Sequence, residues 1–164
     1  MALDQWRPSE IAGGEFRQFP NEIMLKVILG RYTAERVQVS AGVSVLDVGC
    51  FRGNNMVPFF DRGCKCHGVE INADMVADAA ARAPYADIRE GTNRALPYPD
   101  GHFDLLLSIN TVHYETSLAD VRAALMEFRR VLKPTGRAFI MTHGPTHFIQ
   151  ATARCQPSLA AASR

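Results

Sequence analysis

Positions 45–53 read VLDVGCFRG, an apolar strand that runs into a turn carrying Gly49, Cys50 and Gly53, and a second apolar run, HGVEIN at 67–72, ends on Glu70. The segment between them, about 54–61, has the apolar content of a helix, and Gly63 supplies its stop. Strand, glycine turn, helix, strand is a crossover unit that closes in one hand only, with its two strands parallel and adjacent in one sheet. The alternation continues. A short alanine-rich helix spans about 74–82, a weak third strand 86–89, a fourth strand 105–109, a helix marked by Leu118, Val121, Leu125, Phe128 and Leu132, and a fifth strand 138–142. Ser117 and Asp120 form a capping box for that last helix and Gly136 closes it. Ahead of the first strand, Ile23, Met24, Val27, Ile28 and Tyr32 recur at helical spacing over about 21–38. Strands that are apolar along their whole length belong to a parallel α/β sheet covered by helices on both faces.

A glycine turn between strand and helix leaves backbone N–H groups exposed to a nucleotide-like ligand, and an acid at the end of the next strand can accept both ribose hydroxyls. The ligand read from these residues is an adenosine derivative. A dinucleotide fold needs G-x-G-x-x-G, whereas positions 49, 51 and 54 are Gly, Phe and Asn, so two of three glycines are missing.

Asp47, Gly49, Cys50 and Gly53 match the first motif of the class I S-adenosylmethionine-dependent methyltransferases, roughly acid-x-G-C-G-x-G, with Phe51 in place of the middle glycine. Four further features resemble the same family, of the methyltransferase type 11 kind, in the same order. They are Glu70 closing the second strand, LPYPDGHFD at 96–104, NTVHY at 110–114, and EFRRVLKPTGR at 127–137 with Thr135 replacing a glycine. The resemblance covers roughly 40–143. It implies a Rossmann-like open parallel sheet in the order 3-2-1-4-5 and S-adenosyl-L-methionine as cofactor. Its implied site places Glu70 on the ribose diol, Ile71 on the adenine face, Gly49 and Gly53 at close backbone approach, and Cys50 as a small loop residue. Asp47 organises the loop or reaches the methionine ammonium through water, Thr92 and Asn93 stand where relatives carry an acid at the adenine edge, and Asn110 faces the methionine end. The reaction implied is in-line methyl transfer to a small-molecule acceptor; the alternative is a degenerate, non-catalytic relative kept as a binding module. For a hydroxyl acceptor the candidate base is His113, which follows the fourth strand at the carboxyl edge of the sheet, although relatives also use this position only to shape the pocket. His143 and His147 are further pocket candidates.

The domain reading is a leader at 1–20, the methyltransferase domain at 21–148 and an irregular tail at 149–164. The leader, with Gly13-Gly14, is a lid over the cofactor or a disordered arm, and Phe16, Phe19 and Tyr32 are its candidate wall residues. The residues after 142 leave no room for the antiparallel sixth and seventh strands usual in the family. That implies an apolar edge on strand five which a homodimer could cover.

Composition narrows the partners. With 164 residues, 47% hydrophobic, the chain can bury one core, and it has no run of apolar residues long enough for a membrane span. A formal net charge of +1 with scattered basic residues points away from nucleic acid. The start shows no signal peptide, so the expected location is cytoplasmic. Cysteines 50, 64, 66 and 155 have neither zinc nor disulfide spacing; Cys64 and Cys66, two apart on a strand, read as buried thiols, and no metal is expected.

Overall fold

Five consecutive buried residues, Ser44–Val48, form β1 of the computed structural model, which describes residues 19–30 and 37–143. A strand buried on both faces needs a neighbour on each side. β1 has β2 (Lys65–Glu70) on one side and β4 (Phe103–Ile109) on the other; β3 (Asp87–Glu90) lies outside β2 and β5 (Leu132–Met141) outside β4. All four pairings are parallel and the order is 3-2-1-4-5, as the resemblance implied. Val48 pairs with Val69 and with Ser108, so residues 49, 70 and 109–110 meet at one carboxyl edge.

Helices cover both faces. One face holds the turn formed by α1 (Glu22–Met24) and a π-helical stretch Leu25–Leu29, then α2 (Val57–Phe60) and α3 (Ala73–Arg82), which bury Met24, Ile28, Met56, Phe59 and Ala79 against Val45, Leu105 and Leu107. The other holds α4 (Leu118–Val131), whose Ala124, Phe128 and Val131 join Leu96, Tyr98, Leu46 and Leu106. Arg130 explains why 96–104 and 127–137 behave as one unit. Its Nη1 donates to the Tyr98 carbonyl at 2.9 Å and its Nη2 to the Leu96 carbonyl at 3.0 Å, while Glu127 accepts from the Leu96 N–H at 2.8 Å. Tyr98 then donates its hydroxyl to the carbonyls of Gly68 and Asp87, tying this loop to β2 and β3.

Several expectations need correction. The helix expected over 21–38 is only the turn 22–29 among the described residues: Gly30 is extended, and 31–36, including Tyr32, lie outside them, as do Phe16 and His147. Phe19 is 77% exposed and is not among the residues that wall the cleft described below. On α4 the inward stripe is Val121, Ala124, Phe128 and Val131, while Leu118 is 68% and Leu125 42% exposed. The Ser117 cap, whose Oγ accepts the Asp120 N–H at 3.0 Å, sets the phase of the helix, and a stripe at i, i+3, i+7, i+10 from Val121 then faces the sheet. Finally, Gly136 is not the stop of α4. The helix ends at Val131, Leu132 is already extended and pairs with Phe103, and β5 starts there rather than at 138. A Cβ at Gly136 would lie 2.8 Å from the Phe103 carbonyl oxygen, so this glycine serves close strand approach across a register shift.

Cys64 and Cys66 are buried as expected, among residues of the first face. Among the described residues, β5 pairs with β4 alone, no helix is long and apolar enough to cross a membrane, and no group of three or more His, Cys, Asp or Glu could hold a metal ion.

Candidate functional site

The turn after β1 is built to bring backbone close to a ligand. Gly49 (φ +69°) and Gly53 (φ +80°) are left-handed, and a Cβ at Gly49 would sit 2.5 Å from Cγ2 of Thr111. Phe51 between them is also left-handed at φ +50°, which explains why a glycine is the natural occupant there. The N–H groups of Gly49 and Cys50 donate to the Val69 carbonyl at 2.8 and 3.1 Å, which holds the turn against the end of β2.

Glu70 ends β2 directly under that turn. One carboxylate oxygen accepts the Phe51 N–H and the other accepts the Ile71 N–H at 3.2 Å. Burial raises its pKa above the ordinary carboxylate value, and the two N–H bonds pull it back. A carboxylate has about four lone-pair sites, so two remain for a ligand.

A cleft of about 220 Å³ opens beside it, walled by Val48, Gly49, Phe51, Glu70 and Ile71 on the β1–β2 side and by Thr92, Asn93, Asn110, Thr111 and Tyr114 on the other. Of the residues expected at the site, it brings together Gly49, Glu70, Ile71, Thr92, Asn93 and Asn110. Asp47, Cys50, Gly53 and His113 lie outside its walls.

Asp47 is wholly buried under the loop, and neither of its oxygens meets a hydrogen-bond partner of good geometry among the described residues. Its pKa is pushed up to about 8, by burial first and by the Glu70 charge, against the opposing Asn55 side chain. Cys50 packs against Gly68, where a Cβ would lie 2.6 Å from its Sγ; burial raises its thiol pKa, so it stays a protonated filler rather than a nucleophile. Asn110, left-handed at φ +59°, donates its N–H to the Met141 carbonyl at 2.8 Å and leaves a buried Oδ1 without a hydrogen-bond partner. His113 lies in a 3-10 turn, Val112–Tyr114, with its ring 4.2 Å from that of Tyr114 and 4.7 Å from that of His143. It reaches the cleft's edge through Tyr114, which walls it.

Thr92 and Ala95 bond each other's backbones at 3.1 Å, forming a tight turn that presents Asn93. The Asn93 Nδ2 donates to Oε1 of Glu115 at 3.0 Å and to the Thr111 carbonyl at 3.3 Å. Thr111 and Tyr114 belong to the NTVHY segment that the resemblance already matched. Met75 and Glu115 were not foreseen, and nothing in the sequence links Glu115 to a residue 22 positions earlier.

A family model described as a methyltransferase domain matches residues 46–140. The chain is 33% identical over 104 residues to the uncharacterized methyltransferase YcgJ of Bacillus subtilis (strain 168), covering 60% of this chain and 40% of that one. The crystal structure of YcgJ superposes with a TM-score of 0.59 at 30% identity, over 65% of this chain and 47% of the other. A sterol 4-C-methyltransferase of Caenorhabditis elegans is 30% identical over 66% of this chain and 34% of its own. A demethylmenaquinone methyltransferase of Paenarthrobacter aurescens (strain TC1) is 29% identical over 67% and 42%. The chain thus spans less than half the length of these curated relatives.

Proposed function

Because the chain belongs to the class I S-adenosylmethionine-dependent methyltransferase family, we propose that it binds S-adenosylmethionine in the cleft and transfers the methyl group to a small-molecule acceptor by in-line displacement. The observation that carries this reading is Glu70, a carboxylate at the end of β2 with a free lone pair on each oxygen for the two ribose hydroxyls. The remaining walls fit the rest of the cofactor. Ile71 offers an apolar face to adenine, Gly49 lets backbone approach, and the orphaned Oδ1 of Asn110 can accept from the methionine ammonium.

When bound, the sulfonium supplies an activated methyl group, so the protein's task is positioning, which can contribute about 7–11 kcal/mol. Thr111 and Tyr114 line the side from which an acceptor enters, and the Thr111 hydroxyl is hydrogen-bonded to that of Ser108 at 2.6 Å. His113 lies behind Tyr114, ring to ring at 4.2 Å, and would be the base for a hydroxyl acceptor that reaches past Tyr114. A small-molecule acceptor is supported by relatives named for a sterol and for demethylmenaquinone, and by the near-neutral charge. The competing reading, a fold kept as a binding module, draws on Phe51 at the middle-glycine position, Thr92 where relatives carry an acid, and Thr135 in place of a glycine.

Titration calorimetry with S-adenosylhomocysteine separates the two: micromolar binding is expected, and no heat at all would sink the enzyme reading. A second test concerns Phe51. Replacing it with glycine removes the strain of a left-handed non-glycine residue but frees the unfolded chain, two effects of about 1 kcal/mol and opposite sign. The melting temperature should therefore hold while the loss of the ring from the cleft wall weakens binding several-fold. Tighter binding of Phe51→Gly at unchanged melting temperature would show that the ring only obstructs.

A further inference from the structure

The outward side of α4 departs from the pattern of a helix that lies on a sheet and turns polar residues to water. Leu118, Leu125 and Met126 are 68%, 42% and 70% exposed, although the helix already buries Ala124, Phe128 and Val131 on its other side. Arg122 and Arg129 are exposed with them, and Leu118, Arg122, Leu125 and Arg129 follow at i, i+4, i+7 and i+11, which makes them one stripe along the helix. The other exposed positions of α4 are two alanines. Its acids, Asp120 and Glu127, stand two residues off the stripe and so point away from it. Both are spent, Asp120 on Arg94 at 2.7 Å and Glu127 on Arg130 at 2.6 Å. Among the described residues neither Arg122 nor Arg129 has an ion-pair partner. The water-facing side of α4 is therefore apolar and cationic, with no anion in it.

We propose that this side of α4 docks on an anionic lipid surface, with Leu118, Leu125 and Met126 entering the headgroup layer and Arg122 and Arg129 extending to the lipid phosphates and carboxylates. The inference stands on residues outside the cleft and does not depend on the cofactor reading. Charge chooses this occupant over a second copy of the chain, because two such stripes laid together would gather four arginines with no acid between them, whereas an anionic bilayer complements them. Size chooses it over a folded partner. The stripe is five side chains along about 16 Å of helix, against the roughly 20–30 residues that each side of a stable protein interface engages. Shape agrees, since α4 is the one α-helix on its face of the sheet among the described residues. It therefore forms a ridge with no groove beside it to seat a partner helix, and a deformable surface needs none. Docking leaves the protein on the membrane and not through it. Because α4 starts at Leu118, just beyond the Val112–Tyr114 turn, the docked stripe holds the Tyr114 wall of the cleft near the lipid.

The test is cosedimentation of the full chain with vesicles of phosphatidylcholine alone and of phosphatidylcholine with about a third phosphatidylserine. Wild type is expected to bind the anionic vesicles about tenfold better than the neutral ones, and the bound fraction should fall at high salt. Arg122→Gln combined with Arg129→Gln removes the charge, and Leu118→Ser combined with Met126→Ser removes the apolar part. Each pair should cut binding to the anionic vesicles about tenfold. All four positions are exposed, so the melting temperature should hold in both variants. Equal binding of wild type to both vesicles overturns the proposal, as does binding that either variant retains in full. Absence of binding to either vesicle overturns it and leaves the stripe to a protein partner. A chain that is dimeric by light scattering and becomes monomeric when Leu118 and Met126 are changed gives the stripe to a second copy, which overturns it as well.

Discussion

Glu70→Ala should weaken S-adenosylhomocysteine binding by about 1.5–3 kcal/mol while leaving the melting temperature nearly unchanged. The affinity loss follows from the two ribose hydroxyls losing a charged acceptor in a dry site, where hydrogen bonds to charge are worth most. The small effect on stability follows from cancellation. The variant removes the acceptor of the Phe51 and Ile71 N–H groups, which destabilises the loop, and it removes a carboxylate whose pKa burial raises, which stabilises it. The raised pKa also gives binding an acid limit. As pH falls through it the carboxylate gains a proton and loses half its acceptor capacity, so affinity should decline at a pH above the ordinary glutamate range. Calorimetry of the variant and of wild type across pH checks both statements, and an alanine variant that binds as wild type does would remove Glu70 from the ribose.

The second large effect belongs to Asp47. A folded pKa pushed up to about 8, against 3.8 for the free side chain, means that between those values the unfolded chain is ionised while the folded chain holds a proton. Stability from this group is therefore full below the lower value and is lost as pH rises through the upper one. Asp47→Asn cannot ionise. Measured against wild type by thermal or denaturant unfolding without ligand, its advantage should grow by about 4 kcal/mol between pH 5 and pH 9, about 1.4 kcal/mol for each unit up to the folded value. A difference that does not grow with pH would mean that the ionised carboxylate finds a partner in the folded chain.

Much of the sheet was legible because its strands announce themselves. Residues 44–48, SVLDV, and 103–109, FDLLLSI, are mostly apolar with no period-2 alternation, which is how a strand buried on both faces reads, and the glycines at 49 and 53 fall where the backbone is left-handed. β5 was misjudged at its start because residues 132–137, LKPTGR, carry the polar and helix-breaking character of a turn; only pairing with Phe103 makes Leu132 strand. Leu118 and Leu125 mark the helix by their spacing yet face solvent, because hydrophobicity alone does not fix the phase of a helix against the sheet. At the cleft, residues close in sequence to a strand end were foreseeable. The orientation of Asn93 was not, because it depends on Glu115, Arg94 and the Thr111 carbonyl, which the fold alone assembles.

The place of β1 in the middle of the sheet has a consequence for synthesis. β1 acquires β2 soon after it is made, but its second neighbour, β4, begins at Phe103, long after Val48 has emerged from the ribosome. At about 5–20 residues per second the nascent chain spends several seconds with one edge of this strand, buried along its whole length in the fold, unpaired. During that interval Val45, Leu46 and Val48 have no β4 to lie against, and a chaperone that shields short apolar segments during translation should raise the soluble yield of this chain more than one acting only after release.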